Sequence, residues 1–291
     1  MRRPRLRRAV GGDAGAVEPP PSPIRSVWAL RAAGYRDREL WDAVAAGDLI
    51  RVRRGWYAVP DAPPSAVRAV RLGGRLTGVS ALPSYGVWTP PDDERLHVCV
   101  SGDATRLRDP DSRRTPFRPR PDVVLHWRDD PPEAQPWRVP LLHALATMSD
   151  TPRDHLVAVA DSIVRGRLAS QADLVETSHG APHLAGLAAS LDPRCESGAE
   201  SVARVRMLAS GLQAEPQVQI GPHRVDFVLG GRLVIEIDGR EHHAGPDAFE
   251  RDRRRDAELT ALGYTVLRFS YRQVLYDWPS CLAAIRRALL L

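Results

Sequence analysis

The chain contains no lysine: all 41 of its basic residues are arginine. Every cationic side chain is therefore a guanidinium, and biased base composition accounts for so uniform a choice. Abundant arginine alone says nothing about nucleic acid. Cysteine is scarce as well. Cys99, Cys195 and Cys281 are far apart and odd in number, which excludes a disulfide framework and metal-ligand spacing. They are expected as small buried hydrophobes in a reducing compartment. No apolar run approaches the roughly 18–20 residues that span a bilayer. The opening MRRPRLRRAVGGDAG has the arginines of a signal peptide but no apolar core behind them. A cytoplasmic protein is expected. What is present, 43% hydrophobic and 26% charged residues over 291 positions, describes a globular chain long enough for two or three domains.

Charge is unevenly spread. Residues 1–60 hold 12 arginines against 6 acids, whereas the remainder holds 29 against 30. Attraction to a polyanion should be strongest at the N-terminal end. Residues 1–23, rich in Arg, Gly and Pro, cannot bury a core and are expected to be a disordered tail. Residues 24–60 then read as a compact unit. A helix is expected over Ile24–Ala33, and a second over Arg38–Ala46, capped by Asp37 and stopped by Gly47. A hairpin follows, Leu49–Val52 and Trp56–Val59, turning at Arg53-Arg54-Gly55.

Two helices and a basic-tipped hairpin make a winged-helix pattern. Across LWDAVAAGDLIRVRRGWYAV the sequence resembles the N-terminal domain of AbiEi-type antitoxins. That resemblance implies DNA binding, with the second helix in the major groove and Arg51, Arg53 and Arg54 on phosphates. The alternative is a helix pair and hairpin that dock on the next region. Asp61–Ser65 reads as a linker, and residues 66–192 as an α+β region similar in plan to the one found behind this winged helix. Strands are expected at Leu96–Val100 and Val123–Trp127, and helices at Pro140–Met148, Pro152–Arg165 and Gln171–Thr177. Its scattered histidines, His97, His126, His143 and His155, read as structural, and the region as scaffold.

The C-terminal region, 193–291, is organised around RVDFVLGGRLVIEIDGREHH, residues 224–243. Val225, Phe227 and Leu229 alternate before the Gly pair, and Leu233, Ile235 and Ile237 after it. Such alternation around Gly-Gly predicts a hairpin. A three-residue loop, Gly230–Arg232, sets Leu229 against Leu233 and puts all six apolar chains on one face. The same register sets Asp226 opposite Glu236 with Asp238 two residues on, about 5 Å between facing Cβ atoms. Two carboxylates at that spacing can share a cation, and three with none would repel one another. Before the hairpin, Ser197-Gly-Ala-Glu200 has capping-box spacing and opens a helix to Ser210, followed by a strand at Gln217–Ile220. After it come a helix (Pro246–Leu262), a strand (Tyr264–Ser270) and a last helix (Ser280–Leu290).

This order resembles the PD-(D/E)XK nuclease superfamily. The combination EIDGREHH, RDRRRDAEL and GYTVLRFS is similar to the domain of unknown function 559 family, a relative of the very-short-patch-repair mismatch endonuclease. The fold class so implied is α/β, with a restriction-endonuclease-like C-terminal domain behind a winged helix and an α+β middle. The activity implied is Mg²⁺-dependent hydrolysis of phosphodiester bonds in DNA, with Mn²⁺ as a substitute. Mg²⁺ keeps several waters and needs only one or two carboxylates beside the phosphate. Asp226 and Glu236 supply them, the Ile237 carbonyl adds an oxygen, and Glu200 reaches the site through water. The superfamily's motif lysine falls on Asp238, a departure that no other lysine can repair. The mismatch-endonuclease branch uses histidines near its metal, which assigns His242 and His243, one of them as general base. Arg251 and Arg255, on a helix of interleaved charge, are candidates to hold phosphates. The rival expectation is a non-catalytic DNA-binding regulator that keeps the nuclease fold as a binding module.

Overall fold

The computed structural model describes residues 22–129, 135–238 and 246–290, with backbone alone at 246–252. Apart from its last two residues, the N-terminal tail lies outside them.

The first unit differs from expectation at its start. Ile24–Ser26 is a strand, β1, and the helix α1 begins only at Val27, ending at Ala32. Ile24 pairs with Ala58, and Ser26 accepts the Ala29 amide at 3.1 Å, so the serine cap fixes where the helix starts. Helix α2 (Asp37–Ala46) stops at Gly47, whose φ of 79° suits a residue without Cβ. Strands β2 (Ile50–Arg53) and β3 (Trp56–Ala58) form the expected hairpin, and β1 adds to it in the order β1-β3-β2.

The expected linker is shorter than read. Pro64 already opens α3 (Pro64–Leu72), in the first turn where its missing N–H costs nothing. Ala66, Ala69 and Leu72 share one core with Ile24, Val52 and Ala58 on one side and Leu76 and Val98 on the other. The middle region continues with β4 (Arg75–Leu76), the one-turn α4 (Gly78–Ala81) and β5 (Leu96–Val100). A small hairpin, β6 (Arg108–Asp109) and β7 (Ser112–Pro116), interrupts the long Arg/Asp/Pro-rich loop before β8 (Val123–Trp127). Strands β4, β5 and β8 make a sheet in that order, with β5 and β8 parallel. Helices α5 (Leu141–Leu145), α6 (Arg153–Arg165) and α7 (Gln171–His179) follow where helices were expected. His97 is buried, and its ring nitrogens contact His126 Nε2 at 3.0 Å and Asp93 Oδ2 at 2.9 Å.

The C-terminal region begins with α8 (Gly198–Ala209), then β9 (Ala214–Ile220), β10 (His223–Leu229) and β11 (Leu233–Asp238). Helix α9 (Pro246–Ala261) leads to β12 (Thr265–Ser270). Two helices close the chain, α10 (Tyr271–Tyr276) and α11 (Trp278–Leu289). The sheet order is β12-β11-β10-β9, with β12 parallel to β11 and the other pairs antiparallel. Phe227, Leu229, Leu233, Ile235 and Ile237 pack on one face with Val202 and Met207 of α8 and Ile285 of α11. Leu259 of α9 covers the other face with Val225 and Val234. Val225 thus leaves the face predicted for it. The ladder between β9 and β10 skips Gln217 and Asp226, and Gln217 stands at a left-handed φ of 58°. That irregularity rotates the strand between Val225 and Phe227.

Helix α8 is tied to the middle region through α6. Arg206 donates to Asp154 Oδ2 at 2.6 Å, and Arg204 to Asp161 Oδ2 at 3.4 Å and the Ser190 carbonyl at 2.6 Å. Trp88 bridges the two cores, lying against Gly198 so closely that a Cβ there would meet indole atoms at 2.2–2.4 Å. Gly198→Ala should therefore lower stability by roughly 1–3 kcal/mol through overpacking, read as a reduced urea midpoint. A midpoint equal to wild type would show that the indole is free to move aside.

Candidate active site

Five elements converge on one acidic cluster. Asp226 and Glu236 come from adjacent strands of the hairpin, and the loop between them is the three residues expected, Leu229 pairing with Leu233 and Phe227 with Ile235. Gly230 and Gly231 take φ of 55° and 73°, which this loop requires. Beyond Phe227 the regular ladder ends. There the Asp226 carboxylate itself receives the Ile237 amide, at 2.7 Å to Oδ2. Glu200 arrives from the first turn of α8. Ser197 caps that helix by accepting the Glu200 amide at 3.2 Å, and Glu200 Oε2 reaches back to the Glu196 amide at 2.7 Å.

Two residues complete the cluster that sequence reasoning did not place there. Gln217 donates its side-chain amide to Glu200 Oε2 at 2.9 Å and to Asp226 Oδ1 at 3.4 Å, and accepts from Arg224 at 2.6 Å. Its left-handed backbone is uncommon for a residue with a Cβ. The signal was available: pairing Ile220 with His223 across the Gly221-Pro222 turn sets Gln217 opposite Asp226. Arg255 of α9 is the second. Assigned above to phosphates, it instead donates to Glu236 Oε1 at 2.7 Å and to the Arg224 carbonyl at 2.5 Å. It stands one turn before Leu259, the buried anchor of α9, so both lie on the face turned to the sheet. A guanidinium thus supplies the positive charge in a site where lysine is lacking.

Burial and mutual repulsion dominate the electrostatics. Glu200 and Glu236 are 5% and 8% exposed. Burial, then the charge of Asp226, pushes Glu200 up to about 7. The same two causes in the same order push Glu236 up to about 7, against the opposing pull of Arg255. Burial also raises Asp226, in spite of the amide of Ile237 and the Gln217 side chain. Asp238 ends β11 in the open, opposite Ser270, and its charge adds to the rise at Asp226 and Glu236. Removing solvent from carboxylates and crowding them favours whatever neutralises them: a proton, a guanidinium or a metal cation.

Among the described residues, no group of three or more His, Cys, Asp or Glu stands ready to hold a metal ion. A hard divalent cation needs fewer, because it retains waters and shares the oxygens of a phosphate. Asp226 and Glu236 fit that demand as neighbouring carboxylates whose charges the nearby Arg255 and Arg268 offset only in part, since burial still raises both. His242 and His243 lie outside the described residues, as does the side chain of Arg251. Arg51 and Arg54 are exposed on β2 and its turn, in the first unit. Arg53 turns inward, its guanidinium 3.5 Å from the Val70 carbonyl, and burial and Arg108 lower its pKa.

Residues 200–289 match the family model REase_MTES_1575, a restriction endonuclease-like family. This match and the mixed sheet between helices give the C-terminal region a PD-(D/E)XK-like α/β fold. An uncharacterised protein of Haemophilus influenzae is 42% identical over 68 residues, 23% of this chain and 55% of its own length. The uncharacterised proteins MT2308 and Rv2248 of Mycobacterium tuberculosis are each 40% identical over 84 residues, 26% of this chain and 31% of theirs. The chain thus spans about half or less of these relatives. The catalytic domain of the homing endonuclease I-Bth0305I shows 22% identity and a TM-score of 0.28, over 31% of this chain and 90% of that domain. The C-terminal region is nuclease-like. No helix among the described residues is long and apolar enough to cross a membrane.

The raised carboxylates set a pH dependence whose sign follows from linkage. In the unfolded chain Glu200 and Glu236 release their protons near the ordinary value of 4.5, in the fold near 7. Their protonated forms support the fold fully below the lower value, and that support is lost as pH rises through the upper. Without divalent cation, the melting temperature should fall between about pH 5 and 8, and Glu200→Gln should flatten the fall. A wild-type profile already flat over that window in EDTA would contradict the raised values.

Proposed function

We propose that the chain is a metal-dependent endodeoxyribonuclease that hydrolyses phosphodiester bonds in DNA. The observation that carries this reading is the convergence of Glu200, Asp226 and Glu236 in one buried cluster, within a region that matches a restriction endonuclease-like family. Asp226 and Glu236 would hold Mg²⁺, or Mn²⁺ in its place, with the Ile237 carbonyl as a third oxygen. Bound there, the ion supplies charge stabilisation for the phosphate and acidity for an attacking water.

The chain's own residues do the rest. Gln217 fixes the separation of Glu200 and Asp226 through its side-chain amide. The Ile237 amide fixes the Asp226 rotamer. Glu200, titrating near neutrality, can take or return a proton at its carboxylate. Arg255 balances the charge of Glu236 and is the group nearest the role of the absent lysine. His243, with His242 beside it, is assigned as general base, and Asp238 and Arg251 as groups at the edge of the site. In the first unit, α2 with Arg51 of β2 and Arg54 of the turn after it would read the duplex as a winged helix does, within the cytoplasm.

One observation favours the rival reading of a non-catalytic DNA-binding regulator. Arg255 already occupies Glu236, as a guanidinium would in a nuclease fold that has given up its metal. Asp226→Asn separates the two. The near-isosteric change should reduce divalent-dependent cleavage of plasmid DNA by at least about 100-fold while leaving the far-UV spectrum and duplex binding unchanged. Cleavage by the variant at the wild-type rate would remove this site from the reaction. Absence of cleavage by the wild-type protein with either metal, on plasmid and on mismatched duplex, would leave the regulator.

A further inference from the structure

A second charged site lies in the crevice between β2, α3 and the β6–β7 hairpin, with a volume of about 290 Å³. Arg51 of β2, Arg71 of α3, and Arg113 and Arg114 of β7 line it, together with Asp111 and Ser112. The single carboxylate is already committed. Asp111 receives Arg68 at 2.8 Å and Arg120 at 3.0 Å, neither of which lines the crevice. Arg51, Arg113 and Arg114 have no acidic partner among the described residues. Arg71 is held in place by two backbone carbonyls, Val52 at 3.4 Å and Pro110 at 2.9 Å, so one guanidinium is ordered before any ligand arrives.

Four guanidiniums drawn from three separate stretches of sequence line one crevice and give it a positive potential. The guanidinium fork matches phosphate oxygens in pairs. We infer that this crevice is a phosphate-binding site, and that its ligand is the phosphodiester backbone of DNA gripped by the β6–β7 hairpin of the middle region. The choice of DNA over a free polyphosphate rests on the reading of the chain as a DNA-acting protein. The site itself does not, since it stands on geometry apart from the acidic cluster. It gives the middle region a function beyond scaffold.

The test uses the full-length protein in EDTA, where cleavage cannot contribute. Anisotropy of a labelled duplex of about 20 base pairs, titrated at several salt concentrations, compares wild type with Arg113→Glu/Arg114→Glu. The control is Arg286→Glu/Arg287→Glu on α11, which changes the net charge equally at exposed positions. Circular dichroism melts check the fold, and Arg113→Ala/Arg114→Ala replaces the reversal if it unfolds the chain. The hairpin variant should bind at least about tenfold more weakly and lose roughly two from the slope of log affinity against log salt, with a smaller change in the control. In a second arm, tripolyphosphate binding is measured by calorimetry. Its loss in the hairpin variant with unchanged duplex binding would support the phosphate site and assign it to a free polyphosphate. Equal effects of hairpin and control variants on both ligands would overturn the proposal. Neither arm involves Asp226, so failure here is distinguishable from failure of the nuclease reading.

Discussion

Repulsion among Glu200, Asp226 and Glu236 is the constraint around which the C-terminal region is built. Three carboxylates are drawn out of water into one cluster, and each contact around them answers part of the cost. Gln217 accepts a left-handed backbone in order to stand between two of them. The β10–β11 ladder gives up a backbone pairing so that the Ile237 amide can serve Asp226. Helix α9 sends Arg255 across the sheet to Glu236. Arg224 ties Gln217 to Glu196 from outside. A fold that needed only stability would place apolar residues here, since buried charge is a poor stabiliser. A cation bound there, as proposed above, would offset that repulsion.

The parts of this arrangement that were legible in sequence are those set by local periodicity. Alternation about Gly230-Gly231 gave the hairpin, its three-residue loop and the pairing of Phe227 with Ile235, beyond which Asp226 and Glu236 stand on adjacent strands. Ser197 and Glu200 announced the start of α8. What escaped depends on tertiary geometry. Val225 changes face because Gln217 breaks the ladder, and nothing in the composition of QVQI announces a left-handed glutamine. Arg255 was one of several arginines on a helix of mixed charge, and only the docking of Leu259 decides which of them turns inward. Helix α10 was missed although Ser270 and Gln273 have capping-box spacing, because a six-residue helix carries too little periodicity to be seen. The strand at Ile24 was missed because its partner, Ala58, lies more than thirty residues away.

The two charged sites of the protein are opposites in sign and in construction. The acidic one is buried, and each of its members is held by a hydrogen bond from a neighbour. The basic one is open, ordered mainly through Arg71, and its other three arginines have no acidic partner among the described residues. A rigid cluster suits a reacting centre, where displacement of a ligand atom is costly. A loose ring of guanidiniums suits a backbone that must be gripped without regard to sequence.

The contact between Trp88 and Gly198 gives the molecule a mechanical linkage. Glu200 stands two residues beyond that glycine, on the first turn of α8, and the indole sits where any side chain at 198 would have been. The amide of Trp88 is itself pinned to Ser162 of α6. The helix end that carries a carboxylate into the acidic cluster is thus seated in a bearing furnished by the middle region. The position of Glu200 is thereby tied to the packing of α6 and the Trp88 loop as well as to its own helix.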